Sequence, residues 1–238
     1  MRKLFLLIIL CVTCHAGFSQ TYNSDSALHS LKIKKDSTLH ALKALSDSNY
    51  RTTMHNDSVR IDKEYTEKEK WEKLKGIAVY PAVKSGGEMS GVIPVKDPTE
   101  IPDPSIDYKI LFELVRNNPD SLAKDINSGL AEIARVINLH VASGIPLKKI
   151  MPVIVVHAAA LKAISNNEYY KKNFKIENPN LKLIQELKNM GAKFIACGQA
   201  MTFFDVKKED LLPDVKISLT AQTVISSYQL KGYVLFWP

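Results

Sequence analysis

Residues 180–200 read NLKLIQELKNMGAKFIACGQA, and this stretch decides the fold. Asn180 is a helix N-cap type. Leu183, Ile184, Leu187 and Met190 follow at spacings of three and four, which makes one apolar face of a helix. Gly191 is the residue type that ends a helix in the left-handed region. Lys193–Cys197 (KFIAC) then runs apolar without helical period, as a buried strand does. Helix, glycine stop and buried strand in so short a span form half of a βαβ unit.

The same alternation extends both ways. Upstream, Tyr108–Val115 (YKILFELV) reads as a strand, and Asn118-Pro119 as a cap followed by proline at the first helical position. The helix predicted there carries Ile126, Leu130, Ile133, Ile137 and Val141 and stops at Gly144. Val153–Val156 is a second strand, followed by His157 and a predicted helix over 158–165. Downstream, Val215–Ser218 is a fourth strand. Thr220 caps a helix with Val224, Ile225 and Tyr228, Gly232 ends it, and Tyr233–Phe236 is a fifth strand. Strands separated by helices predict a three-layer α/β sandwich over 105–238, with a mainly parallel five-stranded sheet.

In such sheets, ligands and chemistry gather at the carboxyl ends of the strands. Cys197 lies at one such end. A thiol there meets free backbone N–H groups and the positive end of a helix dipole, both of which favour the thiolate. Gly198 permits a tight turn and leaves room for a ligand, so Gly198 and Gln199 are the candidate binding positions. His157, at the end of the neighbouring strand, is the candidate proton acceptor for the thiol. The competing assignments are a buried, inert Cys197 and a histidine that only holds a turn. Val115-Arg116-Asn117-Asn118-Pro119 contains no glycine, which argues against a nucleotide phosphate loop. The domain has no Cys-x-x-Cys, His-Glu-x-x-His or Gly-x-Ser-x-Gly, so thioredoxin-type, zinc-protease and α/β-hydrolase chemistry are set aside.

Ahead of the domain lie three segments of different character. Residues 1–20 (MRKLFLLIILCVTCHAGFSQ) have a basic start, an apolar run of about ten residues, and small residues at 17 and 19. The run is too short for a bilayer core of ~30 Å. A secretory signal cut near Ser19–Gln20 is expected, with export to the periplasm or beyond and no membrane span after cleavage. Cys11 and Cys14 would leave with it, making Cys197 the only mature cysteine.

Residues 20–75 are expected to form a charged helical stalk. DSALHSLK at 25–32 returns as DSTLHALK at 36–43, a period of eleven residues. Such a period gives a nearly straight apolar stripe, here Leu28, Leu31, Leu39, Leu42 and Leu45. Each Asp-Ser pair is a candidate helix start. The stripe is narrow, which favours an amphipathic spacer over a coiled coil or docking helix. His29 and His40 are not at the i,i+4 spacing of a helical metal pair, and no metal site is expected. Residues 76–104 read as a proline-containing linker with a short strand over 77–83, laid against the domain.

The 238 residues are 45% hydrophobic, 24% charged and 8% aromatic, an ordinary globular composition. The net charge of +7 is dispersed, with thirteen charges of each sign over 21–104 and seventeen basic against twelve acidic over 105–238. Nucleic-acid binding would need clustered Lys and Arg with stacking partners, so it is not expected.

Several stretches together resemble the DsrE/DsrF-like family, in its exported branch, over about residues 108–236. They are Val155-Val156-His157-Ala158, Asn178-Pro179-Asn180, Gly191 through Ala200, Leu212-Pro213-Asp214-Val215-Lys216 and Gln229-Leu230-Lys231-Gly232-Tyr233. The resemblance implies a compact parallel α/β sandwich assembled into trimers or hexamers. In the family's sulfur-relay members, a cysteine matching Cys197 carries a persulfide and passes sulfur on. It implies a sulfur carrier with no metal or organic cofactor, served by a donor and an acceptor that are proteins or small thiols. His157 would assist, and the N–H groups after Cys197 would stabilise charge. The alternative is a non-catalytic small-molecule-binding or assembly module in which Cys197 is structural.

Overall fold

The computed structural model describes residues 24–44 and 48–238. The predicted signal segment, together with Leu45 of the stripe, lies outside the described residues. The chain divides into two units, 1–70 and 71–238.

In the first unit, α1 (Ser24–Ala44) and most of α2 (Ser48–Ile77) are helical. Lys35 Nζ meets Asp62 Oδ1 at 2.6 Å, and this bond raises the Lys35 pKa. The second Asp-Ser pair does not start a helix. The Ser37 and Thr38 hydroxyls donate to the Lys34 carbonyl at 2.9 and 2.8 Å, so the pair lies within continuous α1.

The second unit is built on five parallel strands in the order β4-β3-β2-β1-β5. These are β1 (Tyr108–Leu114), β2 (Ile150–Val156), β3 (Lys193–Cys197), β4 (Lys216–Ser218) and β5 (Val234–Phe236). The β-branched and aromatic content of β1 and β2 suits the pleated, doubly covered centre. Helices α3 (Ser128–Ala142), α4 (Asn167–Phe174) and α5 (Leu181–Asn189) belong to the connections from β1 through β2 to β3. Those connections step in one direction across the sheet, so right-handed crossovers keep them on one face. Phe112, Ile154 and Phe194 pack there against Leu130, Ile133 and Ile137 of α3 and Leu183, Ile184 and Leu187 of α5. After β4 the chain returns past β1 to form β5. The same handedness puts α7 (Ala221–Leu230) on the opposite face, against Leu111, Val153, Val155 and Ile195.

Several boundaries differ from the sequence expectation. Helix α3 begins nine positions after Pro119, because Asn127 is the working cap and its Oδ1 accepts the Leu130 N–H at 3.1 Å. Pro119 opens a 3-10 turn instead. The helix after His157 runs Ala158–Ile164 and is of the 3-10 type. Asn180 precedes α5 without capping it through its side chain. Its Oδ1 accepts the Asn127 N–H at 2.7 Å, which ties the start of α5 to that of α3. Gly191 adopts φ +88°, as its stop role requires.

The strand expected over 77–83 reduces to one bridge, Val79 with Val92. Ile77 is taken into α2, and Pro81 offers no donor for a ladder. Residues 79–92 are instead fastened to α3 by buried Asn138. Its Oδ1 accepts the Ala82 and Val83 N–H groups at 2.9 and 2.8 Å, and its Nδ2 donates to the Val83 and Ser90 carbonyls at 2.8 and 2.9 Å. Val83 is fully buried in the core beside it.

Candidate functional site

Cys197 ends β3 and is the N-cap residue of the short helix α6 (Gly198–Phe203). Its side chain lies on the α7 face of the sheet and is 4% exposed, against Leu111, Val153, Val155, Ile195, Ala221 and Ile225. Among the described residues one donor reaches the sulfur: the Ala221 N–H, the first of α7, is 3.2 Å from Sγ. The expectation placed this role on the N–H groups after Cys197. Of these, the Gln199 N–H is committed to the Leu219 carbonyl at 3.1 Å. The helix pointing at the thiol therefore belongs to the next crossover.

Gly198 and Gln199 stand at the turn. A Cβ at Gly198 would lie 2.7 Å from the Ser218 carbonyl, so β4 occupies the space that the sequence reading left for a ligand. The glycine serves close approach of two backbones. Gln199 is exposed.

His157 continues β2 in extended conformation, and its N–H donates to the Leu114 carbonyl at 3.0 Å. Val155 pairs with Ile195 and Val156 with Ala196, so the next step of this register brings His157 beside Cys197 on the same face. Adjacent strands lie about 4.8 Å apart. The ring, however, is engaged elsewhere. Nε2 lies 2.9 Å from Glu113 Oε1, and the Trp237 indole N–H donates to Glu113 Oε2 at 2.8 Å. No hydrogen bond joins His157 to Cys197 among the described residues. Ala158, directly after His157, sits at φ +53°, a left-handed position unfavourable for alanine. Strain of this kind is common beside functional groups.

Glu113 and Trp237 did not emerge from the sequence reading. The available signal was a carboxylate two residues after Leu111 in an apolar strand, on the face that should be covered. Trp237 gave no signal, because its contact depends on β5 pairing with β1.

An apolar hollow of about 440 Å³ lies elsewhere. Val79, Val92, Pro94, Ile101, Leu139 and Ala142 line part of it. It sits at the end of α3, hence at the amino edge of the sheet, away from Cys197. Among the described residues, no three His, Cys, Asp or Glu side chains gather as metal ligands, and no helix is long and apolar enough to cross a membrane.

Residues 109–238 match the model of the DsrE/DsrF-like family. Among solved structures, the chain is similar to a protein of unknown function, MTH1491 from Methanobacterium thermoautotrophicum. The two are 20% identical over 56% of this chain and 100% of that one, with a TM-score of 0.41. No curated protein matches.

Proposed function

Because the chain belongs to the DsrE/DsrF-like family, we propose that it is a sulfur carrier that holds sulfane sulfur as a persulfide on Cys197. The observation that carries this reading is the Ala221 N–H aimed at Sγ at the carboxyl edge of β3. A fixed donor at that point stabilises negative charge on a thiolate or on the sulfur added to it.

The chemistry is thiol–disulfide exchange. The Cys197 thiolate attacks the outer sulfur of a hydropersulfide, R–S–SH. A new S–S bond forms as the donor's S–S bond breaks, and the electron pair leaves with R–S⁻. The proton released by the Cys197 thiol ends on that leaving group. The products are Cys197–S–SH and R–SH, so the step is redox-neutral and needs no external oxidant or reductant. An acceptor thiolate then attacks the outer sulfur and regenerates Cys197. His157 carries the proton in this scheme. The donor is a protein or small-molecule hydropersulfide, and the acceptor is a protein or small thiol.

In this reading residues 1–19 direct export, and residues 20–75 form a spacer. The domain assembles as a trimer or hexamer through apolar residues that stand exposed near the site, among them Phe203 at 83% and Leu219 at 76%. Exposed apolar clusters of this kind mark interaction surfaces.

A second reading is favoured by one observation: Cys197 is 4% exposed within an apolar cluster. There the domain is a binding or assembly module and the thiol only packs. Mass spectrometry of freshly isolated protein, and of protein exposed to inorganic polysulfide, separates the two. The carrier gains one sulfur on Cys197 and loses that gain in Cys197→Ser. A thiol that alkylates only after unfolding and takes up no sulfur supports the module.

A further inference from the structure

We propose that Glu113 is the positioning residue of this site, holding the His157 imidazole so that Nδ1 is the nitrogen that exchanges protons beside Cys197. The inference rests on the carrier reading of Cys197.

Glu113 stands in β1, next to the centre of the sheet, and its side chain is only 20% exposed. It shares the α7 face with Leu111, where a carboxylate is costly unless it is fully partnered. Its partners are an imidazole and an indole rather than a lysine or an arginine. Oε2 accepts the Trp237 indole N–H, and Oε1 lies 2.9 Å from His157 Nε2. An indole can only donate and a carboxylate can only accept, so the Oε1 contact is a hydrogen bond when Nε2 carries the hydrogen. The hydrogen on His157 therefore sits on Nε2. In the neutral imidazole this leaves Nδ1 with the lone pair.

The Trp237 indole, itself 73% exposed, engages the second oxygen, so the group that orients the ring has a partner on each oxygen. His157 is the register neighbour of Cys197 on the same face. When Cys197 reacts, its proton passes to Nδ1, and the resulting imidazolium is stabilised by the Glu113 carboxylate. Nδ1 then gives the proton to the departing R–S⁻. Glu113 neither gains nor loses a proton over the cycle.

The test uses the full chain labelled with ¹⁵N in its histidine rings. Ring proton–nitrogen correlations identify which nitrogen of neutral His157 carries hydrogen, and wild type is expected to show Nε2–H. In parallel, Cys197 is followed by iodoacetamide alkylation and by sulfur uptake from inorganic polysulfide. Glu113→Ala should lose the single tautomer and slow both reactions by roughly tenfold or more, since general acid–base catalysis contributes ~10²–10⁴-fold and only its orientation is removed. Glu113→Gln is the second variant, because the alanine change risks the fold. Its amide offers one acceptor oxygen between the two groups and no charge, so sulfur uptake should slow.

An Nδ1–H tautomer in wild type overturns the proposal without any variant. Unchanged rates in both variants, or an Nε2–H signal that survives in Glu113→Ala, overturn it while sulfur carriage stands. A wild-type Cys197 that takes up no sulfur overturns the carrier reading, and with it the role of Glu113.

Discussion

At the scale of single residues, the site depends on close approaches that leave little room for change. Gly198 lies where a methyl group would meet the Ser218 carbonyl at 2.7 Å. Gly198→Ala must push β4 away from β3, and overpacking of this kind costs about 1–3 kcal/mol. Denaturant unfolding should show that loss as a lower midpoint. Native-state alkylation should change as well, because the same shift moves Ala221 relative to Sγ. Cys197 was legible from its place at the end of an apolar strand before a glycine. The purpose of the glycine was not, because the sequence does not say which strand lies beside it. Glu113 was hidden for a related reason. A carboxylate in a strand looks solvated until the face it occupies is known to be covered, and α7 covers that face only through a long return crossover.

Among the elements, the attachment of residues 79–92 to α3 is the most exposed to test. Asn138 satisfies two backbone N–H groups and two carbonyls with one side chain. Asn138→Ala leaves all four without this partner and should cost about 2–4 kcal/mol. Amide hydrogen exchange should rise at Ala82 and Val83 before it rises in the sheet. Glu186 makes a second fastening, accepting the Lys84 and Ser85 N–H groups at 3.0 and 2.8 Å. Burial pushes its carboxyl up, but the Lys84 and Ser85 donors and nearby Lys182 outweigh that and leave the pKa lowered. A carboxylate lowered on folding contributes stability at pH above its unfolded value, and loses it as pH falls through the folded value. Glu186→Gln should therefore reduce stability near neutrality and weaken its decline below about pH 4.3, the ordinary glutamate value. Thermal unfolding across that range checks the sign. The apolar content of 79–92 pointed to contact with the domain. What it could not reveal was Asn138, a polar residue on the buried face of a helix, whose partners lie about fifty-five positions away.

On the scale of the whole molecule, the domain limit at 105 expected from sequence can be tested against the compact unit, which starts at 71. A chain starting at 71 should unfold cooperatively. One starting at 105 lacks Val83 and the partners of Asn138, and should be markedly less stable or fail to fold. Circular dichroism melts of the two truncations decide this. The parallel α/β class was readable because periodicity reports each element. Strand order was not, because pairing is a long-range property, and the handedness rule operates only once β5 is known to return past β1. That return also governs time. Glu113 and Trp237 are 124 positions apart, so the chain must close its longest loop before the indole reaches the carboxylate. Long-range pairing is slow relative to local helix and neighbouring-strand contacts. During refolding, then, β1, β2 and β3 should assemble with α3 and α5 while the opposite face still waits for α7. Through that interval Cys197 is open to solvent, and a pulse of alkylating reagent would read the age of each molecule from whether its thiol has already been covered.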